Sequence, residues 1–311
     1  MKYPVTYPMS GTELVRNLGL SVIFDRNLSG HNISYLCNIS VADGAEALAF
    51  CSYAGDKGFS CAQNCAAEVL ICDAELAQLL AKKSPQKSLI AAKDARLAFA
   101  IAASILLGSG DARDRFFFEE SSLERSHSAL DIWISPTAMV GQGCAIGRGS
   151  CVGPGSVLYP AMQIGDRCQV EAGVSIGGRG FGFVRDEEGE LFPFPQLGRV
   201  VVGHDVAIGA RTSIDRGSMQ DTTIGSGTKI DDFAYIAHNV SIGRNCLIMA
   251  GAVLCGGCKI GDGAELAPGV IVRENVNIGA RARVGLGAVV TKDVPPDELV
   301  AGVPARPFQS R

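Results

Sequence analysis

Clustered positive charge is missing from this sequence. Its formal net charge is −4, its calculated pI is about 5.6, and no run of lysine and arginine stands out. A nucleic-acid footprint or a polybasic membrane patch depends on such clusters. The sequence therefore disfavours a nucleic-acid partner.

Long hydrophobic runs are also missing. Residues 1–19 contain no apolar core of the kind that a secretory signal needs, and the apolar run LAFAIAASILLG at 97–108 is too short to span a bilayer. We expect a cytoplasmic protein without a transmembrane segment. The 11 cysteines should then be reduced thiols, because disulfides persist mainly in oxidising compartments.

Paired metal ligands are few. Cys255 and Cys258 are spaced like half of a zinc ribbon, but no second CxxC and no histidine pair accompanies them. We therefore expect no metal and no resident cofactor.

A six-residue repeat is what the sequence does contain. An aliphatic residue returns at every sixth position, often followed by glycine, and this hexapeptide signature predicts a parallel β-helix. Three hexapeptides make one coil of 18 residues, with the aliphatic side chains stacked inside. Four cysteines fall on a small-residue position of the repeat and are expected to fill the core. The aliphatic series consists of Ile134, Val140, Ile146, Val152, Leu158, Ile164, Val170, Ile176, Val202, Ile208, Ile214, Ile224, Ile230, Ile236, Ile242, Ile248, Leu254, Ile260, Leu266, Val272, Ile278, Val284 and Val290.

Two interruptions break the repeat. The first insertion is GGRGFGFVRDEEGELFPFPQLGRVV at 177–201, and the second adds four residues within IDRGSMQDTTIG at 214–225. A solenoid accommodates insertions as loops on its faces, where binding sites tend to be built. The alternative is that both loops are surface elaborations without function.

The chain before the repeat has a different pattern. The segment AEVLICDAELAQLLAKK predicts a strand and then an amphipathic helix that begins at Asp73, and KDARLAFAIAASILLG predicts a second helix that ends near Gly108. These patterns indicate a small α/β domain over 1–108. A charged linker over 109–131 and a β-helix domain over 132–311 follow it.

His238, in the stretch IAHNVSIG, lies at a repeat position whose side chain projects from the coil. One coil further on, the matching position is Gly256, and a second coil leads to Glu274 beside Asn275. A neutral imidazole, with an ordinary pKa near 6.5, can take a proton from an attacking amine or hydroxyl. The glycine would let a thioester approach and offer its N–H to the developing oxyanion. The pattern therefore favours acyl transfer with His238 and Gly256 as catalytic candidates, against the alternative of a solvated histidine on an outer face.

The motifs GFGF, PQLGRVVVG, IDRG, DTTIG and IAHNV together resemble the UDP-3-O-acylglucosamine N-acyltransferases of lipid A biosynthesis, a step towards lipopolysaccharide. The resemblance is strong over 175–260 and weaker in the N-terminal segments ALAFCSYAG and DARLAFAIA. It implies a left-handed β-helix and a homotrimer with active sites between adjacent β-helices. It also implies that His238 is the general base on the 2-amino group of an acylated nucleotide sugar and that Gly256 donates to the oxyanion. The acyl group, expected to be 3-hydroxyacyl, would come from an acyl carrier protein thioester.

Further site residues follow from the resemblance and from loop position. Asp231, Asp232 or a carboxylate of a neighbouring subunit could orient the imidazole. In the alternative interpretation, Phe50 is an ordinary core aromatic and the phenylalanines and the Asp–Arg pair hold the loops. The substrate-binding candidates are Phe50, Tyr53, Phe181, Phe183, Gln196, Asp215, Arg216, Asn239 and Asn275.

The sequence departs from this family at three places. Asn275 stands where the family has a second histidine, and an amide donates hydrogen bonds but cannot take up a proton or carry a positive charge. Phe50 is followed by Tyr53 and Asp56, where the family's uracil-binding pattern has asparagine and then tyrosine. The ending VTKDVPPDELVAGVPARPFQSR resembles small-sugar acetyltransferases, in which a GVPA segment lies near the coenzyme A site.

Three other functions stay open on the sequence. The ending and the altered uracil-binding pattern favour, as an alternative, an acetyl-CoA-dependent sugar acetyltransferase of another surface-glycan pathway. A scaffold that has lost catalysis is the second. A zinc hydratase is the third, but it needs three converging histidines, and the repeat contains only His204 and His238.

Overall fold

The computed structural model describes residues 2–18, 22–26, 28, 30–40, 44, 46–84, 87–108 and 131–307. Two compact units make up the chain: 1–111 with 182–195, and 112–181 with 196–311. The sequence assigns the whole first insertion to the β-helix domain, whereas its middle part clusters with the N-terminal unit. The predicted linker at 109–131 lies outside the described residues, except for its last residue.

The N-terminal unit is built on a mixed sheet of six strands in the described part of the chain, with the order β1-β3-β4-β5-β6-β2. Strands β3, β4, β5 and β6 run parallel to one another. At the two edges, β1 pairs antiparallel with β3, and β2 pairs antiparallel with β6. The elements are β1 (Lys2–Ser10), α1 (Gly11–Asn17), β2 (Val22–Arg26), β3 (Asn32–Cys37), β4 (Ala47–Cys51), α2 (Gly55–Asn64), β5 (Val69–Cys72), α3 (Ala74–Lys83), β6 (Ser88–Ala92) and α4 (Ala95–Leu107).

Both helices predicted in this unit are confirmed, together with the start of the first at Asp73 and the end of the second near Gly108. The Asp73 carboxylate accepts from Leu76 N at 2.8 Å, and that of Asp94 accepts from Leu97 N at 2.9 Å. These bonds satisfy backbone donors that have no partner inside the helix. Within the described residues, no helix is long and apolar enough to cross a membrane.

The second unit is the predicted parallel β-helix. Its strands, with the two of the first insertion, are β7 (Trp133–Ile134), β8 (Met139–Val140), β9 (Ala145–Ile146), β10 (Cys151–Val152), β11 (Val157–Leu158), β12 (Gln163–Ile164), β13 (Gln169–Val170), β14 (Ser175–Gly178), β15 (Phe183–Arg185), β16 (Leu191–Pro193), β17 (Val200–Val202), β18 (Ala207–Ile208), β19 (Ser213–Asp215), β20 (Thr222–Ile224), β21 (Lys229–Ile230), β22 (Tyr235–Ile236), β23 (Ser241–Ile242), β24 (Leu247–Ile248), β25 (Val253–Leu254), β26 (Lys259–Ile260), β27 (Glu265–Leu266), β28 (Ile271–Val272), β29 (Asn277–Ile278), β30 (Arg283–Val284), β31 (Val289–Val290), β32 (Leu299–Ala301) and β33 (Arg306–Pro307).

These strands form three long sheets, one along each face of the coil. The first sheet runs from β7 to β33, the second from β8 to β31 and the third from β9 to β29. Tyr235 pairs in parallel with Val253, so neighbouring strands of a sheet are 18 residues apart where no insertion intervenes. In each regular strand the first side chain faces outward and the second faces the interior.

The interior is one continuous apolar column. Ile236, Leu254 and Val272, on successive coils of the second sheet, are all 0% exposed. Burying one such side chain stabilises the fold by about 1.5–3 kcal/mol. The predicted fold class is thereby confirmed: mainly β, with a hexapeptide-repeat β-helix and a small α/β N-terminal domain.

The cysteines at the small-residue position also fill this column. Cys168, Cys246 and Cys258 are fully buried, and Cys144 packs against the core from its edge. Burial raises the pKa of the Cys258 thiol to about 12, because the low-dielectric interior disfavours a thiolate.

The middle of the first insertion forms a hairpin of β15 and β16 in the N-terminal unit. Phe194, directly after β16, is 4% exposed and meets the ring of Phe50 edge-on, with 5.7 Å between the ring centroids. Phe50 also stacks on Phe99 at 4.7 Å, and Arg96 lies over the Phe194 ring at 4.9 Å. An aromatic cluster therefore holds the hairpin on the small domain.

Candidate active site

His238 lies at a corner of the β-helix, in the turn that follows β22. Ile236 anchors this turn from inside, and Asn239 adopts the left-handed conformation with φ 62°. The backbone N–H of Gly257, one coil further on, donates to the carbonyl oxygen of His238 at 2.9 Å. The imidazole is half-buried and projects from a rigid turn, as the repeat predicts.

Gly256 and His238 are in direct contact. A Cβ atom at Gly256 would lie 2.8 Å from both Cε1 and Nε2 of His238, a distance that real Cβ contacts do not show. Within the described chain the Gly256 N–H has no hydrogen-bond partner. A bare backbone donor therefore lies beside the imidazole, which is the arrangement that oxyanion stabilisation needs.

The ring of His238 is oriented by an amide rather than by a carboxylate. Its Nδ1 lies 2.9 Å from Oδ1 of Asn239. The two carboxylates suggested for this task accept from backbone groups instead: Asp231 from Asp232 N at 2.8 Å, and Asp232 from Ala210 N at 2.6 Å. Within this chain the expected carboxylate partner is thus replaced by the neighbouring residue.

Asp215 is buried near His238 and is only 6% exposed. Its Oδ2 accepts from the hydroxyl of Tyr235 at 2.7 Å. Burial raises the pKa of Asp215, and the hydrogen bond from Tyr235 and the charge of His238 partly offset this effect. The carboxylate is therefore placed as an internal partner of the site, with little surface left for a substrate.

Arg216 ties the start of the first insertion to the coils. Its Nε donates to the carbonyl of Gly177 at 2.9 Å, and its Nη2 donates to that of Pro160 at 3.0 Å. Burial lowers the pKa of its guanidinium. These contacts favour the interpretation in which Arg216 holds a loop rather than a substrate.

The first insertion starts directly on His238. A Cβ atom at Gly180 would lie 2.6 Å from Cβ of His238 and 2.7 Å from Oε1 of Gln196. The two ends of the insertion that belong to the β-helix unit therefore meet beside the imidazole. Phe181, next to Gly180, is 80% exposed and offers an apolar ring to solvent.

Asn275 lies at the same corner as Gly256. Its backbone N–H donates to the Gly256 carbonyl at 3.1 Å, and a Cβ atom at Gly257 would lie 2.6 Å from its Oδ1. The structure thus brings His238, Gly256 and Asn275 together on consecutive coils, as the 18-residue spacing predicts.

The candidates in the N-terminal unit have other surroundings. Phe50 belongs to the aromatic cluster with Phe99 and Phe194, in agreement with the alternative of a packed ring. Tyr53 is 43% exposed, with Lys57 Nζ at 4.1 Å from its ring centroid. Phe183, in β15, is 39% exposed and also belongs to this unit.

Four residues of the site were not predicted from the sequence. Tyr235 bonds to Asp215, Gly180 packs on His238, and Ser218 and Gln220 bond to the side chain of Asn239. Tyr235 occupies an ordinary outward position of the repeat, and the other three lie in the insertions, where no period marks a contact. The only indication of these residues in the sequence was that both interruptions break the repeat.

The repeat, the three parallel sheets and the corner histidine define a hexapeptide-repeat β-helix protein. Family models agree: a bacterial transferase hexapeptide model of six repeats matches 221–256, and a model for the hexapeptide repeat of succinyl-transferase matches 138–177 and 239–274.

The particular resemblance predicted from the motifs is also confirmed. The chain is similar to UDP-3-O-acylglucosamine N-acyltransferase from Caulobacter sp. (strain K31), with 43% identity over 146 residues, and to that from Methylobacterium nodulans, with 45% identity over 146 residues. Each match covers 47% of this chain, and 43% and 41% of the relatives' lengths, so the chain spans less than half of the curated relatives it matches. A UDP-N-acetylglucosamine acyltransferase structure from Campylobacter jejuni aligns with a TM-score of 0.48 and 20% identity, over 57% of this chain and 72% of that one.

Proposed function

We propose that this protein is an N-acyltransferase that moves an acyl group from a thioester to the amino group of a nucleotide-linked amino sugar. The observation that carries the proposal is the contact of His238 with the bare backbone of Gly256. A base and an oxyanion donor side by side are what acyl transfer to an amine requires. The names of the curated relatives support N-acyl transfer to the same class of acceptor.

The proposed reaction starts when the acceptor amine attacks the thioester carbonyl carbon. Nε2 of His238 takes a proton from the amine as the new C–N bond forms. The carbonyl oxygen becomes an oxyanion, which accepts from the N–H of Gly256. The tetrahedral intermediate then expels the thiolate, the imidazolium returns its proton to the sulfur, and an amide and a free thiol remain.

In this proposal the outer face of the second sheet binds the acyl chain and contacts a second copy of the protein. The outward residue that begins each of its strands is uncharged, and one of these residues is Tyr235, beside the His238 turn. Asp215, at the end of β19, is buried against the hydroxyl of Tyr235. The first sheet, in contrast, presents Lys229, Glu265 and Arg283. The outward residues of the second sheet are Met139, Val157, Ser175, Ser213, Tyr235, Val253, Ile271 and Val289.

We therefore include a homotrimer in the proposal, with the second-sheet face at the contact between copies and the acyl chain along its edge. The donor is a 3-hydroxyacyl group on acyl carrier protein, which places the enzyme in the cytoplasm. Acetyl-CoA is the alternative donor, and the GVPA segment at 302–305, together with the unusual residues Tyr53 and Asp56, is the reason to test it.

The experiment is a two-by-two acyl-transfer assay read by mass spectrometry. A 3-hydroxyacyl carrier protein or acetyl-CoA serves as donor, and UDP-3-O-acylglucosamine or a free UDP-amino sugar serves as acceptor. We expect a long-chain amide product that falls at least about 100-fold in His238→Ala, the usual contribution of a general base. Acetylated product would establish the alternative donor, and no product from any pair would contradict the proposal.

His204→Ala is the matched control, because His204 is the other histidine of the repeat. Its Nδ1 accepts from the backbone N–H of Asp166 at 2.9 Å, on another part of the β-helix. This variant should keep full activity, and circular dichroism of both variants should match the unmodified protein.

A further inference from the structure

The amide of Asn239 is held in one orientation by the second insertion. Its Oδ1 accepts from the N–H of Ser218 at 3.2 Å and from the hydroxyl of Ser218 at 2.8 Å, while its Nδ2 donates to the carbonyl of Gln220 at 3.3 Å. A flipped amide would set its NH2 against the Ser218 N–H and its oxygen against the Gln220 carbonyl. Neither contact is a hydrogen bond, so the orientation is determined by the loop backbone.

This orientation decides which nitrogen of His238 carries the proton. The atom that faces Nδ1 at 2.9 Å is Oδ1 of Asn239, which can only accept. In the neutral imidazole the proton must then reside on Nδ1, and the lone pair on Nε2. Nε2 is the nitrogen that lies against Gly256, where the reaction is proposed to occur.

The second insertion is shaped for this task. A Cβ atom at Gly217 would lie 1.7 Å from the Gln220 carbonyl oxygen and 3.0 Å from Nδ2 of Asn239, so no side chain fits there. A regular hexapeptide in place of this loop would not bring Ser218 and Gln220 to Asn239.

The first insertion reinforces the second. Leu197 N donates to the Ser218 carbonyl at 2.7 Å, and Gly198 N donates to that of Gly217 at 2.9 Å. Because Gly180 packs on His238 itself, both interruptions of the repeat converge on one imidazole.

We propose that the second insertion, through Ser218 and Gln220, makes Asn239 a positioning residue that keeps His238 in the Nδ1-protonated tautomer with Nε2 free to accept the proton. The catalytic part of this inference rests on the proposed acyl transfer, and the tautomer part does not. Asn239 thereby takes the role of the carboxylate found beside many catalytic histidines, without adding a charge.

Asn239→Gly is the test variant. Asn239 has φ 62°, and Gly257 occupies the same turn position one coil further on with φ 72°, so glycine suits this backbone. Asn245→Gly is the matched control, because Asn245 has the same turn position and φ 53° at another corner. Asn239→Asp keeps the acceptor and serves as the conservative rescue.

The first readout is the protonation of the imidazole nitrogens, from NMR of 15N-histidine-labelled protein recorded over a series of pH values, with the tautomer taken from the spectra of the neutral ring. His238→Ala assigns the signals among the four histidines. We expect a proton on Nδ1 in the unmodified protein, in Asn245→Gly and in Asn239→Asp. Asn239→Gly should show a mixture of tautomers.

The second readout is kinetic. In Asn239→Gly we expect kcat to fall about 10- to 100-fold, part of the usual contribution of a general base, with KM little changed. Asn239→Asp should recover most of the loss. An unchanged tautomer in Asn239→Gly would overturn the inference, and so would an unchanged kcat where acyl transfer is observed.

The two proposals fail in different ways. If no donor and acceptor react but the Asn239→Gly variant shows a mixture of His238 tautomers, the positioning role stands and the proposed activity is wrong. If acyl transfer occurs and neither the tautomer nor kcat responds to Asn239→Gly, the activity stands and the positioning role is wrong.

Discussion

His238 can lie against residue 256 only because glycine has no Cβ atom. Gly256 does not have a positive φ, so alanine is compatible with its backbone, and the only cost of a methyl group is its contact with the imidazole. We expect Gly256→Ala to displace the ring and to lower kcat at least about 100-fold, as loss of a base or of an oxyanion donor does. Steady-state kinetics measures this effect.

A double-mutant cycle separates this contact from other effects. In the His238→Ala background the methyl group has space, so Gly256→Ala should cost less stability there than in the unmodified protein. We expect an interaction free energy of about 1 kcal/mol from urea unfolding of the four proteins. Equal costs in both backgrounds would show that the imidazole does not lie on Gly256.

Asp215 should make stability depend on pH. Its pKa is about 3.8 when exposed and is raised in the folded protein, mainly by burial. Between these two pKa values the folded state binds more protons than the unfolded state, so the contribution of Asp215 to stability falls as pH rises. Asparagine does not titrate, so the unmodified protein should lose stability relative to Asp215→Asn as the pH rises above about 3.8, until the raised pKa of the folded state is passed.

Urea unfolding at fixed protein concentration, repeated across this pH range, measures the difference. Glu265→Gln, at an exposed position of the first sheet, gives the background for a surface carboxylate. Parallel stability curves for Asp215→Asn and the unmodified protein would contradict the assignment.

At the scale of elements, the first insertion is divided between two units. Its ends lie beside His238, whereas the hairpin of β15 and β16 is held on the small domain by Phe194. Phe194→Ala removes a buried ring and should destabilise the N-terminal unit by about 3 kcal/mol. It should also expose residues 183–193 to proteolysis.

Chemical unfolding and limited proteolysis with mass spectrometry of the fragments provide the measurement. Leu191→Ala is the control, because Leu191 belongs to the same hairpin but is 56% exposed, and its removal should change stability by less than about 0.5 kcal/mol. Equal cleavage of the two variants would show that the aromatic cluster does not hold the hairpin.

At the scale of the whole molecule, the uncharged face of the second sheet is where we place contacts between copies. Ile271 on this face is 41% exposed in a single chain. Arginine at this position would bury an unpaired charge in the assembly, at a cost of several kcal/mol. If the proposed trimer forms through this face, Ile271→Arg reduces the solution mass from three chains of 32.5 kDa to one.

Light scattering after size-exclusion chromatography measures the mass. Leu247→Arg is the matched control, since Leu247 is 39% exposed and lies on the first sheet. A mass that changes with Leu247→Arg and not with Ile271→Arg would place the contact on the other face.

The sequence by itself determined the β-helix, its three inward columns and the corner that carries His238, Gly256 and Asn275. A strict period of six residues predicts these features directly, because each aliphatic residue must stack on its counterpart 18 residues away. It also determined where α3 begins, since Asp73 bonds to a backbone group only three residues away.

Only the tertiary structure decided the partners of these residues. The fixing of the Asn239 amide by Ser218 and Gln220, the approach of Gly180 to His238 and the packing of Phe50 with Phe194 all join segments without a common period. Such contacts depend on how two insertions fold back on the coils and on the small domain. The spacing of residues in the sequence does not predict how the insertions fold back.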